Sequence, residues 1–162
     1  MAEKKGAVER AEHLLRAAYQ MQMEKDFVSA IELYQASLEE HPSAEAHTFL
    51  GWTYSSLGRF DDAIQQCKQA IEVDPDFGNP YNDIGSYLVS LGRVEEAIPW
   101  LEKAKQAPRY EPRHFPYINL GRIYMNMGKT LEAVREFEQA SFIQNSMENI
   151  DLNEDEAETA IH

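Results

Sequence analysis

Residues 47–75 read HTFLGWTYSSLGRFDDAIQQCKQAIEVDP, and this pattern of small and apolar residues recurs along the chain. Intervals of 33, 34 and 36 residues separate four alanines: Ala30, Ala63, Ala97 and Ala133. Two series of glycines keep a similar spacing: Gly51, Gly85 and Gly121, and then Gly58, Gly92 and Gly128. A nearly fixed period in this range indicates an array of repeats, in which each unit buries its apolar face against the next.

Each repeat is predicted to contain two amphipathic helices. In the quoted segment, Leu50, Gly51 and Tyr54 are spaced by one and three residues, and Ala63, Cys67 and Ala70 by four and three. These spacings place each set on one face of a helix. The second series of glycines then marks the short turn between the two helices of a repeat.

The helical glycines are predicted to have a packing function. Each lowers helix propensity by about 1 kcal/mol relative to alanine, so a close approach between helices has to compensate. The ends of the helices carry their own signals: Ser43, Asp61 and Asn79 are expected to be N-cap residues, and Pro80 suits a first helical turn.

This pattern resembles the tetratricopeptide repeat over about residues 11–145. The resemblance implies an all-α fold, a right-handed superhelical array of about four helix-turn-helix repeats with a short C-terminal cap or tail. A repeat domain is expected over residues 1–147. Its repeats are predicted at about 11–43, 44–77, 78–113 and 114–147.

Residues 148–162 are predicted to form an acidic C-terminal tail. From residue 141 to the end the chain carries six acidic and no basic side chains. Two alternatives stay open at this stage. The tail could form a short capping helix that shields the last apolar face, or it could remain partly disordered and aid solubility.

Composition excludes several classes of function. The net charge of −13 argues against binding to nucleic acid or to an anionic membrane surface. The single cysteine excludes an intrachain disulfide framework, which fits a reducing compartment. No apolar leader or membrane-spanning stretch is evident, so a soluble cytoplasmic protein is expected.

Catalysis is not expected. The five histidines are scattered, and they do not combine with cysteine or carboxylate residues at metal-ligand spacing. Cys67 occupies the position that Leu101 and Phe137 hold in later repeats, so it is predicted to be a core residue rather than a nucleophile. We therefore predict no enzyme activity, no cofactor and no metal.

The resemblance also implies a binding surface. In tetratricopeptide proteins the first helix of each repeat lines a concave groove, and peptide or protein segments bind there. The positions that correspond here hold the predicted binding residues: Arg16, Tyr19, Phe49, Trp52, Asn82, Asp83, Asn119 and Arg122. Aromatic residues and arginine dominate interface energetics, and asparagine offers both a donor and an acceptor. The alternative is that Phe49 and Trp52 only pack against a neighbouring helix.

One specialised function of the family is not expected. The carboxylate clamp for acidic chaperone C-terminal tails needs lysine and arginine at defined groove positions. One frame offers Leu15, Tyr19, Phe49, Asn79 and Asp83 instead. The other offers Thr48, Trp52, Asp83, Phe115 and Asn119. Neither frame contains a lysine or an arginine, so a partner of that type is not predicted.

The connector at residues 107–116 allows two interpretations. It contains three prolines and is longer than its counterparts, so it could be a stiff spacer. It could instead be a contact loop, because the prolines limit the entropy lost on binding.

The sequence thus predicts a non-enzymatic adaptor or scaffold that binds an unidentified protein or peptide in its groove. Two alternatives remain. The chain could be a self-assembling structural module, which would make it a homo-oligomer, or it could be a small chaperone for assembly or secretion.

Overall fold

The computed structural model describes the backbone of residues 1–159 and the side chains of residues 1–151. Over the described backbone the chain forms eight α-helices and no β-strand. The helices are α1 (Ala2–Met23), α2 (Phe27–Glu40), α3 (Ala44–Ser56), α4 (Phe60–Val73), α5 (Asn79–Ser90), α6 (Val94–Gln106), α7 (Phe115–Asn126) and α8 (Thr130–Thr159). Consecutive helices pack in pairs: α1 with α2, α3 with α4, α5 with α6, and α7 with α8. The predicted all-α class built from helix-turn-helix units is confirmed.

The turn within each pair contains one residue with a left-handed backbone. Gly58, Gly92 and Gly128 have φ angles of 74°, 76° and 73°. After Gly58, the amide of Arg59 donates to the carbonyl of Tyr54 at 2.9 Å, which satisfies a terminal carbonyl of α3. The predicted turn glycines are therefore confirmed. Lys25 has a φ of 63° in the turn between α1 and α2.

The glycines inside the first helices permit close packing, as predicted. A Cβ atom on Gly85 would lie 2.6 Å from the Leu101 side chain, and one on Gly121 would lie 2.6 Å from the Phe137 ring. On Gly51 it would lie 3.0 Å from a backbone carbonyl oxygen of α4. Alanine at Gly85 or Gly121 would thus displace the Leu101 or the Phe137 side chain.

The predicted helix starts are partly correct. The Ser43 hydroxyl accepts a hydrogen bond from the backbone amide of Ala46 at 3.1 Å, so Ser43 is the N-cap of α3. Pro80 lies in the first turn of α5, as expected. Asn79 and Asp61 are not N-caps, because α5 begins at Asn79 itself and α4 begins at Phe60. The Asp61 carboxylate instead lies in the first turn of α4, where it interacts favourably with the positive end of the helix dipole.

The chain divides into two compact units. The first runs from Met1 to Tyr110 and contains α1–α6. Within it, α2 packs on α3 and α4 packs on α5, so neighbouring pairs share a core. Its largest fully buried side chains include Tyr34, Leu50, Ile84 and Leu101. The second unit begins at Glu111 and contains α7 and α8.

The last helix, α8, runs through the predicted domain boundary at residue 147. Its backbone is helical from Thr130 to Thr159. Side chains from residue 152 onward and the backbone of residues 160–162 lie outside the described residues. The domain boundaries and the fate of the acidic tail stay predictions.

The segment 107–110 packs against the loop between α4 and α5. The amide of Gly78 donates to the carbonyl of Arg109 at 2.8 Å, and the amide of Arg109 donates to the carbonyl of Asp76 at 3.1 Å. The ring of Tyr110 covers Gly78, and only 3 % of Tyr110 is exposed. This part of the predicted connector is therefore held within the first unit, as a stiff spacer would be.

The guanidinium of Arg109 reinforces this packing. It lies 4.6 Å from the centroid of the Phe77 ring, and it donates to the carboxylates of Glu45, at 3.0 Å, and Asp74. One arginine thus connects α3, the end of α4 and the segment that follows α6.

None of the helices in the described range is long and apolar enough to cross a membrane.

Candidate functional site

A cleft of about 500 Å³ opens on the first unit between α3 and α5. Four of the predicted binding residues lie together in its wall: Phe49, Trp52, Asn82 and Asp83. We call this site the α3–α5 cleft. Its lining among the described side chains consists of Thr48, Phe49, Trp52, Ser55, Phe60, Asn79, Asn82, Asp83, Ser86, Tyr87 and Ser90.

One wall of the cleft is aromatic. Phe49 is half-buried, and its ring centroid lies 5.4 Å from that of Tyr19 and 6.2 Å from that of Tyr34. Trp52 follows one helical turn later and is 42 % exposed. Phe49 therefore packs partly against neighbouring helices, whereas Trp52 leaves a large apolar surface exposed.

Two further aromatic residues, Phe60 and Tyr87, line the cleft and are absent from the predicted binding set. The ring centroids of Phe60 and Tyr87 lie 6.1 Å apart. A signal for Tyr87 was available, because it follows Asp83 by four residues and so shares its helix face. Phe60 lies at the start of α4, a helix that the groove pattern of the family leaves out.

Among the described residues of the lining, Asp83 carries the one carboxyl group, and its environment is unusual. It is half-buried, and burial raises its pKa from 3.8 to about 7, although a hydrogen bond from the side chain of Asn82 opposes the shift. No lysine, arginine or histidine belongs to the described lining. Desolvation without a cationic partner favours the protonated carboxyl, which accounts for the direction of the shift.

The groups around Asp83 are themselves neutral near neutral pH. Burial raises the pKa of Tyr87 and of Tyr110, and the negative charge of Asp83 raises both further. The same two causes, burial first, raise the pKa of the Cys67 thiol. Asp83 is therefore the group in this cluster that titrates near pH 7.

Three hydroxyl groups of the lining face back toward their own helices. Thr48 and Ser55 donate to the carbonyls of Ala44 and Trp52, both at 2.7 Å, and Ser90 donates to the carbonyl of Ser86 at 3.2 Å. A hydroxyl has one donor hydrogen and two acceptor lone pairs. The oxygens of these groups thus retain acceptor capacity after their hydrogens have been used.

The remaining predicted residues lie elsewhere. Tyr19 contacts Phe49 beside the cleft and is not part of its lining. Arg16 lines a different cleft, of about 560 Å³, formed mainly by α1 and the segment around Ser43. Asn119 and Arg122 lie on α7, in the second unit. Participation of all eight residues in binding stays a prediction.

Features that would indicate catalysis are not evident in the described part of the chain. There, no group of three or more histidine, cysteine, aspartate or glutamate side chains is arranged to hold a metal ion. Cys67 is fully buried and contacts the Gly51 position, where an added Cβ would lie 3.3 Å from its sulfur. Its prediction as a core residue is confirmed.

Family models of the tetratricopeptide repeat match most of the chain between residues 44 and 141. One matches residues 44–77, and a second matches residues 79–109 and 116–141. Together they cover more than half of the chain, including the helices that form the α3–α5 cleft.

A curated relative points to the same family. The chain is 34 % identical over 95 residues to small glutamine-rich tetratricopeptide repeat-containing protein 2 of Mycosarcoma maydis. That alignment covers 58 % of this chain and 27 % of the relative, so the chain spans about a quarter of that protein's length.

Solved structures share the fold. MamA superposes with a TM-score of 0.74 at 24 % identity, covering 86 % of this chain and 81 % of MamA. The second tetratricopeptide domain of Spaghetti (RPAP3), solved with the HSP90 peptide SRMEEVD, superposes with a TM-score of 0.62 at 18 % identity. That superposition covers 66 % of this chain and 99 % of the domain.

Proposed function

The chain belongs to the tetratricopeptide repeat family, and on that premise we propose that it is a non-enzymatic adaptor that binds a peptide or protein segment in the α3–α5 cleft. Proteins of this family generally act as interaction scaffolds. The observation that supports this proposal is the cleft itself, which combines exposed apolar surface at Trp52 with the polar side chains of Asn82 and Asp83.

The chemistry of the cleft suits an extended segment of polypeptide. Aromatic rings provide a large contact area with little loss of side-chain entropy, and Trp52 is the most accessible of them. Hydroxyl and amide groups along α3 and α5 can pair with the polar groups of a bound backbone. The volume of about 500 Å³ accommodates a few residues of such a segment.

The partner differs in kind from the peptide in the Spaghetti structure. The sequence SRMEEVD contains three acidic residues. The α3–α5 cleft contains a carboxylate and, among its described lining residues, no basic side chain. We therefore extend the proposal to exclude acidic chaperone tails from this cleft.

The test is selection of short random peptides displayed on phage, followed by titration of the selected peptides into purified protein. We expect Trp52→Ala to weaken binding by at least about tenfold, as truncation of an interface anchor does. Val28→Ala is the matched control, because Val28 is an exposed apolar residue of α2 outside the cleft. Equal affinities for wild type and Trp52→Ala would refute the groove.

Arg122→Ala tests the contribution of the second unit separately. If Arg122 contributes to ligand binding, this variant weakens binding, and the double variant with Trp52→Ala shows whether the two effects are additive. If Arg122→Ala binds like the wild type, Arg122 has to be removed from the binding set, and the cleft alone carries the function.

Self-assembly is the second candidate, and one surface supports it. Leu131, Val134 and Phe142 are exposed on α8, and at 100° per residue they lie within roughly 80° of arc. A second copy could cover this face. A monomeric mass by sedimentation equilibrium across the accessible concentration range would reject this candidate, whereas a dimer that Phe142→Ser dissociates would support it.

A further inference from the structure

Resting on the proposed function, the α3–α5 cleft has a chemistry that selects one class of ligand. We propose that Asp83 and the aromatic rings beside it bind a lysine or arginine side chain of the partner, so that the ligand is a segment with a basic residue at its centre. Two hydroxyl groups of the cleft, those of Ser55 and Ser90, add hydrogen-bond acceptors beside this carboxyl group.

The first part of the argument concerns charge. Asp83 lies half-buried in the cleft, and no cationic side chain belongs to the described lining. A carboxylate that is removed from water without a partner is unfavourable, and a cation supplied from outside relieves this penalty. The lining thus lacks a positive group to compensate the ionised form of Asp83, and a basic ligand would provide one.

The second part concerns hydrogen bonding. The exposed hydroxyl of Ser90 directs its hydrogen to a carbonyl of its own helix, so it faces a ligand as an acceptor. The hydroxyl of Ser55 also donates to its own helix, although it is hydrogen-bonded to Tyr87 as well. The side-chain amide of Asn82 donates to Asp83. A surface rich in acceptors matches a guanidinium with five donors or an ammonium with three.

The third part concerns the aromatic rings. Phe49, Trp52, Phe60 and Tyr87 all line the same cleft as Asp83. Cations bind favourably over the faces of aromatic rings, and a planar guanidinium can stack on a ring while it pairs with a carboxylate. Arginine therefore satisfies both features at once, and lysine satisfies them less fully.

The test compares four pools of random peptides that differ only at the central position, which is arginine, lysine, glutamine or glutamate. We expect the arginine pool to bind the wild type at least about tenfold more tightly than the glutamine pool, with lysine between them. Asp83→Asn should abolish this preference. Glu72→Gln is the matched control, because it removes one exposed negative charge of α4 outside the cleft and should preserve the preference.

Measurements at high salt and at low pH distinguish a contact with Asp83 from a general attraction to the negative charge of the protein. Attraction to the net charge of −13 is screened in about 0.5 M KCl, whereas a contact with a half-buried carboxylate is screened less. The preference should therefore persist at high salt. It should also fall as the pH is lowered from near 8 to near 5.5, because protonation of Asp83 competes with the cation, while Cys67, Tyr87 and Tyr110 stay neutral throughout.

The outcomes distinguish this inference from the proposed function. If all four pools bind equally and Trp52→Ala still weakens their binding, peptide binding in the α3–α5 cleft is supported and the preference for a basic residue is refuted. If Asp83→Asn keeps the arginine preference while it remains helical by circular dichroism, Asp83 is not the recognition group and the inference fails. If no pool distinguishes the wild type from Trp52→Ala, both proposals fail together.

Discussion

At the scale of single residues, Asp83 links the stability of the fold to pH. The folded protein holds the proton of this carboxyl up to about pH 7, whereas the unfolded chain releases it near 3.8. Between these values the folded state binds more protons than the unfolded state. The contribution of Asp83 to the free energy of unfolding therefore falls as the pH rises through this interval.

Replacement of Asp83 by asparagine should remove this dependence. We expect Asp83→Asn to raise the free energy of unfolding by about 1–2 kcal/mol near pH 8, because a half-buried charge is lost and the hydrogen bond from Asn82 can remain. Near pH 5 the effect should be much smaller. Urea denaturation at the two pH values measures it, and an equal effect at both would contradict the assignment.

Lys25 is a second residue with a measurable consequence. It adopts a left-handed backbone in a turn, where the three later turns have glycine. A non-glycine residue in this conformation is strained by about 1–2 kcal/mol. Replacement by glycine relieves this strain, but part of the gain in stability is offset because glycine is more flexible in the unfolded chain. We expect Lys25→Gly to raise the free energy of unfolding by about 0.5–1 kcal/mol.

The matched control is the reverse change. Gly58→Ala should lower the free energy of unfolding by about 1 kcal/mol, since nothing crowds an added Cβ there and only the backbone conformation is affected. Thermal denaturation of both variants gives the comparison. If Lys25→Gly destabilises the protein, the lysine has a tertiary function that its exposed position does not suggest.

Sequence reasoning succeeded for residues whose position follows from the repeat. Spacing alone predicts the packing function of Gly85 and the turn at Gly92, because close helix contact and a positive φ both favour glycine. The pairing of Phe60 with Tyr87 could not be predicted, since it depends on how α4 begins relative to α5. The isolation of Asp83 from cations also required the three-dimensional lining, which no local pattern contains.

At the scale of elements, the segment 107–110 is held by burial more than by its ion pairs. The Arg109 side chain is exposed, and exposed ion pairs contribute little to stability. Tyr110, in contrast, is 3 % exposed and shares a small core with Ala104 and Ala107. The packing of the aromatic ring should therefore dominate the stability of this connection.

We expect Tyr110→Ala to lower the free energy of unfolding by about 3 kcal/mol, as removal of a buried aromatic side chain commonly does. Arg109→Ala should have a far smaller effect, and that effect should shrink further at high salt. Urea denaturation of the two variants tests the ranking. A larger loss for Arg109→Ala would show that the ion pairs, rather than the ring, hold the segment.

The helices themselves were predicted well, and their ends less well. The regular spacing of small residues predicts all four helix pairs, because each pair needs such residues where its helices bury their apolar faces. The starts of α4 and α5 were misassigned by one or two residues. Aspartate and asparagine favour N-cap positions, so Asp61 and Asn79 were expected just before their helices. Both lie inside them instead, because α4 begins at Phe60 and α5 begins at Asn79.

At the scale of the whole molecule, the net charge of −13 affects how fast partners arrive. A basic peptide should associate rapidly at low ionic strength, because the field of the protein steers it toward the surface. We expect the association rate constant for an arginine-containing peptide to fall by about twofold to threefold between low salt and about 0.5 M KCl, which is less than the preference for arginine expected at equilibrium. Stopped-flow fluorescence measures this, and a dissociation rate that changes instead would contradict long-range steering.

The family and the class of fold were available from the sequence, whereas the identity of the ligand was not. Repeat proteins place their function on side chains that the repeat pattern leaves free to vary. Trp52 and Asp83 belong to that set, so the pattern that identifies the fold carries little information about them. The proposed class of ligand therefore follows from the residues that line the cleft rather than from the repeat period.

The burial of Cys67 makes this thiol an intrinsic reporter of local opening. It is the chain's single cysteine, it is fully buried, and its raised pKa keeps it in the unreactive protonated form. A disulfide reagent can therefore modify only molecules in which the helices that cover Cys67 have separated, and the labelling rate gives the population of that open state. Because Asp83 lies close to Cys67, a ligand in the cleft should slow the labelling, so one unmodified protein can report both its own fluctuations and the arrival of its partner.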